Sequence, residues 1–150
     1  MDESIFSGLL NLLNENHVDY MVVGGYAVVV HGYRRFTGDL DIWFRAAPEN
    51  AQRILDTLDA FGVGSLPISL ADLLDTEGFV QFGRYPYRVD LLNTIAGITF
   101  EEAYANKVFI LYEGISIPFI GLTDLIKNKE ASGRPKDLKD AKQLKKKHKL

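Results

Sequence analysis

Two aspartates, Asp39 and Asp41, stand one residue apart at the head of an apolar, β-prone run that ends at Phe44. In an extended chain, residues i and i+2 project to the same face, about 7 Å apart. Aspartate is depleted in strands, and two like charges on one face repel each other. Folding stability does not select such a pair. A divalent cation between the carboxylates turns the repulsion into attraction. The same spacing also suits a solvent-facing strand mouth or two aspartates capping a turn, and a bare Asp-x-Asp does not separate these readings.

Two further features bear on the pair. The short apolar run Tyr20 to Val23 is closed by Gly24-Gly25 and reads as a buried strand followed by a tight turn. Tyr26 to His31 then reads as a brief helix. Glycines at such a junction let backbone N–H groups approach a phosphate, and a helix N-terminus favours an anion. The other feature is Asp90, a lone acid within Arg88-Val89-Asp90-Leu91-Leu92. Its side chain either lies on an exposed edge or faces a site. A third carboxylate balances the charge of two metal ions and can take a proton from an attacking hydroxyl. The chain contains no cysteine, and His17, His31 and His148 lack a zinc-like spacing. Any metal site is therefore mainly carboxylate, which suits magnesium or manganese.

The remaining periodicities predict the frame. Ile5, Leu9, Leu12 and Leu13 give an amphipathic first helix. Pro48 opens a helix with Ile54, Leu55, Leu58 and Phe61 on one face and Gly62 as its stop. Ser69 and Thr99 each begin a capping box. Phe79 to Phe82 and Tyr87 to Leu92 read as a hairpin around Gly83-Arg84-Tyr85-Pro86. Val108 to Tyr112 and Ile115 to Ile120 read as two more strands. Helices follow from Leu122 to Ala131 and from Pro135 onward, split by Ser132-Gly133. This order predicts an α/β or α+β fold, a sheet covered by helices. The expectation is a single domain over residues 1–150, with a helical C-terminal part at about 122–150. His31 is expected to pack or cap, Trp43 to lie in the core, Arg34 on the surface, and Tyr85 and Tyr87 to cover the sheet or stack on a base.

The combination of Gly-Gly after a strand, Asp-x-Asp on the next strand and a lone Asp on a later one resembles the DNA polymerase β-type nucleotidyltransferase superfamily, in the same order along the chain. Within it, Val22 to Phe44 (VVGGYAVVVHGYRRFTGDLDIWF) is similar to the abortive-infection-type toxins and related minimal nucleotidyltransferases. So is the tail, with Leu125-Ile126-Lys127-Asn128-Lys129-Glu130-Ala131, then Gly133-Arg134-Pro135-Lys136-Asp137, then Asp140. The resemblance implies a mixed sheet of the nucleotidyltransferase type. It implies that Gly24 and Gly25 cradle a triphosphate, with Arg35, Lys129 and next Lys127 on its phosphates. Asp39, Asp41 and Asp90 would hold two magnesium ions, and Asp90 would help deprotonate the acceptor hydroxyl. The family often carries serine after the first glycine; Gly25 here removes that hydroxyl and keeps the backbone donors.

Charge is unevenly divided. Residues 127–150 hold ten of the seventeen Lys and Arg against three acids, while the whole chain is at −3. A basic tail beside an acidic body suits phosphate or RNA, and it equally suits a solvated helix end. An acidic N-terminus, Met1-Asp2-Glu3, is unlike a signal peptide. The longest apolar run is far short of the roughly 20 residues of a membrane span. Both point to a soluble, cytoplasmic protein. The expected activity is metal-dependent transfer of a nucleoside monophosphate from an NTP to a hydroxyl on RNA, protein or a small molecule. A toxin with an antitoxin partner is one form of it. The alternative is an inactive nucleotide- or RNA-binding module of the same fold.

Overall fold

A computed structural model describes residues 4–150; the acidic Met1 to Glu3 segment lies outside the described residues. The chain runs α1 (Ser4–Glu15), β1 (Tyr20–Val23), α2 (Gly24–Val30), β2 (Asp39–Phe44), α3 (Pro48–Ala60), α4 (Leu70–Leu74), β3 (Val80–Phe82) and β4 (Arg88–Leu92). It continues through α5 (Phe100–Ala105), β5 (Val108–Tyr112), β6 (Ile115–Phe119), α6 (Leu122–Ser132) and α7 (Pro135–His148). The six strands form one sheet in the order β3-β4-β2-β1-β6-β5. β1 pairs with β2 antiparallel and with β6 parallel. β2 pairs with β4 parallel, and the β3/β4 and β5/β6 pairs are antiparallel. The expected mixed sheet covered by helices, an α+β fold, is what the chain forms.

Every residue of β1 is buried, as in a central strand with helices on both faces. Tyr20, Met21, Ile42, Trp43 and Phe44 fill the middle of the core. Trp43 meets Phe100 edge-on, with ring centroids 5.3 Å apart. α1 packs with Phe6, Leu9, Leu10 and Leu13 buried, whereas Ile5 is exposed and Leu12 half-buried. The true stripe is the i, i+3, i+4, i+7 set that starts at Phe6, rotated from the set read off the sequence. Both capping boxes form. The Ser69 hydroxyl accepts from Asp72 N–H and Thr99 from Glu102 N–H, with the return bonds present. α6 ends at Gly133 in the left-handed conformation, and Pro135 opens α7. Leu125, Ile126, Ala141 and Leu144 from these two helices belong to the same core as the sheet.

One buried polar residue ties the start of β1 to the end of β2. Asn50, in the first turn of α3, accepts from Asp19 N–H at 2.8 Å and donates to the carbonyls of Asp19 and Arg45, each at 3.0 Å. Asn50→Ala takes away the partner of the Asp19 N–H and one of the two donors to each carbonyl, which keep their bonds from the Arg45 and Ala47 N–H groups. It is expected to lower the free energy of unfolding by between about 1 and 3 kcal/mol, read as a shift in the urea midpoint at unchanged slope.

Candidate active site

The parallel register of β2 and β4 decides what lies together. Asp39 stands opposite Arg88 and Asp41 opposite Asp90. Because alternate strand residues share a face, these four side chains form a two-by-two patch at the mouth of the sheet. It forms the floor of a cleft of about 990 Å³, which also takes in Gly24, Gly25, Arg35, Thr37 and Lys129. Such a volume lies at the upper end of ordinary ligand pockets.

The patch is electrostatically loaded. Burial pushes the Asp41 carboxyl up to about 7, helped by a hydrogen bond with Asp90 and by the charges of Asp90 and Asp39, against the opposing pull of Lys129. Gln81, reaching across from β3, donates to Asp90 at 2.7 Å. Arg88 forks onto Asp39 with two bonds of 3.1 Å. Gly24 lies directly beneath Asp41. Its φ is +68°, and a Cβ there would collide with the Asp41 carboxylate. Only glycine meets both conditions. α2 opens at Gly24, earlier than Tyr26, so both glycines sit in its first turn.

The second glycine explains a departure from the family pattern. A Cβ on Gly25 would strike the Thr37 hydroxyl and approach Arg35 Nη1 to 3.4 Å. The space that a serine hydroxyl would use at position 25 is therefore held by the hydroxyl of Thr37, from the loop before β2.

The wall of the cleft carries the cations. Asp140 accepts two bonds from Arg35, each 2.9 Å, and lies 3.2 Å from Lys129 Nζ. Lys129 also donates to Asp137 at 3.0 Å. Burial alone would raise the Asp137 carboxyl. Hydrogen bonds from Ser132, Lys129 and Arg134 outweigh it and hold that group at about 2. Lys127 is not part of this arrangement. It is exposed, lies outside the cleft, and its charge acts on Glu102 of α5.

Among the other residues singled out in the sequence, Trp43 is core. His31 donates from Nε2 to the Ile120 carbonyl at 2.7 Å. Tyr87 packs edge-on against Phe6. Tyr85 is exposed at the cleft rim, with its ring 6.4 Å from that of Phe36. Arg88, Gln81, Thr37 and Asp140 are the site neighbours to which sequence reasoning gave no role. Arg88 carried a signal, since it precedes Asp90 by the same two-residue step that separates Asp39 from Asp41.

The chemistry of the donor set fits hard divalent cations. It offers carboxylate oxygens on one face, without imidazole or thiolate. Two of those carboxyls are forced close enough for one to hold its proton near neutral pH, which is the repulsion a cation would relieve. As they stand, no three acid, histidine or cysteine side chains among the described residues close to ligating distance. Arg88 occupies Asp39.

Comparison with known proteins identifies the family. Residues 3–146 match a family described as nucleotidyltransferase of unknown function (DUF6036). The chain belongs to that nucleotidyltransferase family. Its fold is shared with TM1012 of Thermotoga maritima, whose assignment as a nucleotidyltransferase is itself inferred. The TM-score is 0.61 at 18% identity, over 95% of this chain and 89% of that one. It is shared too with LnuA, a lincosamide antibiotic adenylyltransferase solved with lincomycin bound. There the TM-score is 0.58 at 18% identity, over 97% of both chains. Among curated proteins none matches the sequence. No helix among the described residues of this nucleotidyltransferase is long and apolar enough to cross a membrane.

The Asp41 environment makes a stability prediction. An acid whose folded pKa lies above its unfolded value binds its proton more tightly when folded. The metal-free protein therefore loses stability as pH rises from roughly 4 through the folded value of about 7. Asp41→Asn removes that loss. It is expected to stabilise the metal-free protein at pH 8 by at least about 1 kcal/mol, with the gain fading towards pH 4. Urea unfolding with a chelator at the two pH values measures it, and an equal effect at both would refute the assignment.

Proposed function

We propose that the protein transfers a nucleoside monophosphate from an NTP to a hydroxyl acceptor, with divalent cations held by Asp39, Asp41 and Asp90. The observation that carries this reading is the β2/β4 register. It sets Asp41 against Asp90 over a glycine that no other residue can replace. Magnesium or manganese at these carboxylates would neutralise phosphate charge and make the acceptor hydroxyl easier to deprotonate. Asp90 is the group placed to receive the acceptor's proton, with Gln81 fixing its orientation. Gly24 and Gly25 let the Asp41 carboxylate and the Thr37 hydroxyl close onto the first turn of α2, and that hydroxyl adds a donor for the phosphates. Arg35 and Lys129, braced by Asp140, face the same cleft and would stabilise the pyrophosphate as it leaves. Lys127 is left out of this assignment.

Donor selectivity and acceptor identity go beyond the family. The exposed rings of Phe36 and Tyr85 at the rim suit a planar base. The exposed lysines of α7, including Lys136 at the cleft, suit an RNA acceptor such as tRNA. A toxin acting in the cytoplasm and restrained by an antitoxin is one setting for such an activity. Growth arrest on expression, lost with Asp39→Ala, would support it.

One observation favours a second reading. With Arg88 on Asp39 and a proton held between Asp41 and Asp90, the fold can persist as a nucleotide-binding module without turnover. The test is incubation with α-labelled NTPs, magnesium and whole-cell extract, followed by detection of labelled product and of pyrophosphate. The expected result is label on an acceptor, with Asp41→Asn and Asp90→Asn each reducing it by about 100-fold or more. Calorimetric binding of an NTP with no release in any extract would select the module instead.

A further inference from the structure

The two edges of the sheet are built differently. β3 is three residues long, and its Gln81 is bonded to Asp90 of the neighbouring strand. β5 is five residues, Val108-Phe-Ile-Leu-Tyr112, with no charge, proline or glycine among them. Among the described residues it pairs with β6 on one side only. Phe109 is 60% exposed and Leu111 74%, and they share one face. Ile110 and Tyr112, on the other face, line an apolar cavity of about 420 Å³ whose further walls come from α1 and α2. An open apolar edge of this kind invites another strand unless something guards it.

The sequence of β5 says which strand it fits. Laid antiparallel against a copy of itself with Ile110 on the two-fold axis, Phe109 meets Leu111 and Val108 meets Tyr112. The flanking Lys107 then stands opposite Glu113. Every apolar side chain faces an apolar one, and the two charges at the ends are of opposite sign, the arrangement that favours a cross-strand pair. A strand with like charges at both ends would repel its copy. Lys107 is already held at its end of the strand. Its ammonium donates to the Tyr104 carbonyl at 3.2 Å and lies 3.8 Å from the centre of the Tyr104 ring.

We propose that the β5 edge is the contact by which two copies of this chain associate, antiparallel about Ile110, into one continuous sheet. The contact is isologous, as two-fold symmetry requires. No residue of β5 or β6 lines the catalytic cleft, so both clefts stay open in the pair. The apolar cavity beside Ile110 and Tyr112 gains a wall from the second copy's β5.

The absence of cysteine from the chain makes the register directly testable. Sedimentation of the full chain between about 1 and 200 μM, the range for a small edge interface, should show the 16.8 kDa mass doubling. Leu111→Lys, at a position too exposed to disturb the core, should stay monomeric with an unchanged circular dichroism spectrum. Chains carrying Phe109→Cys and Leu111→Cys should form a mixed disulfide when combined and oxidised, at least several-fold faster than either forms one alone. A constant monomer mass for the wild type would overturn the proposal. So would association of Leu111→Lys as strong as that of the wild type, or cross-linking of Leu111→Cys with itself as fast as in the mixture.

Discussion

The pairing of β2 with β4 is the constraint on which the rest of the site depends. Parallel strands hydrogen-bond at a fixed register, and a slip of one residue would turn every side chain of β2 to the opposite face. That register is fixed by burial. Leu40, Ile42, Val89 and Leu91 must face the core, which leaves Asp39, Asp41, Arg88 and Asp90 on the other face. The apolar alternation that makes the sheet thus also crowds the carboxylates. Electrostatic cost and packing gain are two sides of one pattern, so the acids cannot be relieved by sliding the strand.

Gly24 and Asp140 extend that constraint to the neighbouring elements. β1 delivers Gly24 beneath Asp41 through its own register with β2, where Val23 stands opposite Asp41. Asp140, nearly inaccessible in α7, grips Arg35 ahead of β2 and Lys129 in α6. The loop before β2 is thereby tied at one carboxylate to the two C-terminal helices, with Arg35 and Asp140 105 residues apart. The C-terminal helices are accordingly as necessary to the wall of the cleft as the sheet is to its floor.

Much of this was legible in the residues. The strands, both capping boxes and the order of elements follow from local periodicity and turn chemistry, and the three aspartates follow from their anomalous placement in apolar runs. Other features depend on rotation or on distant contacts. α1 is turned relative to the reading that began at Ile5, because Phe6 opens an equally regular stripe and only the packing partner chooses between them. Lys127 and Lys129 lie about 200° apart around α6, so only one can face the cleft, and sequence alone does not choose. Thr37 filling the space beside Gly25 depends on how the loop before β2 folds back, which no local pattern encodes. Asp140 reads locally as an ordinary helix acid; its partners lie in other elements.

The ion pairs have a further consequence when charge is counted around the whole cleft. On the wall, Arg35, Lys129, Arg134 and Lys136 are set against Asp137 and Asp140, which leaves two net positive charges. On the floor, Arg88 offsets one of the carboxylates, and Asp41 holds its proton near neutrality. Empty, the cleft carries only a small net charge, far less than a nucleotide or its cations would bring to it. For the reaction proposed, nucleotide and cation become mutually dependent ligands, each supplying the countercharge that lets the other settle. Half-saturation by either should then come at lower concentration as the other is raised, as in any pair of positively coupled ligands.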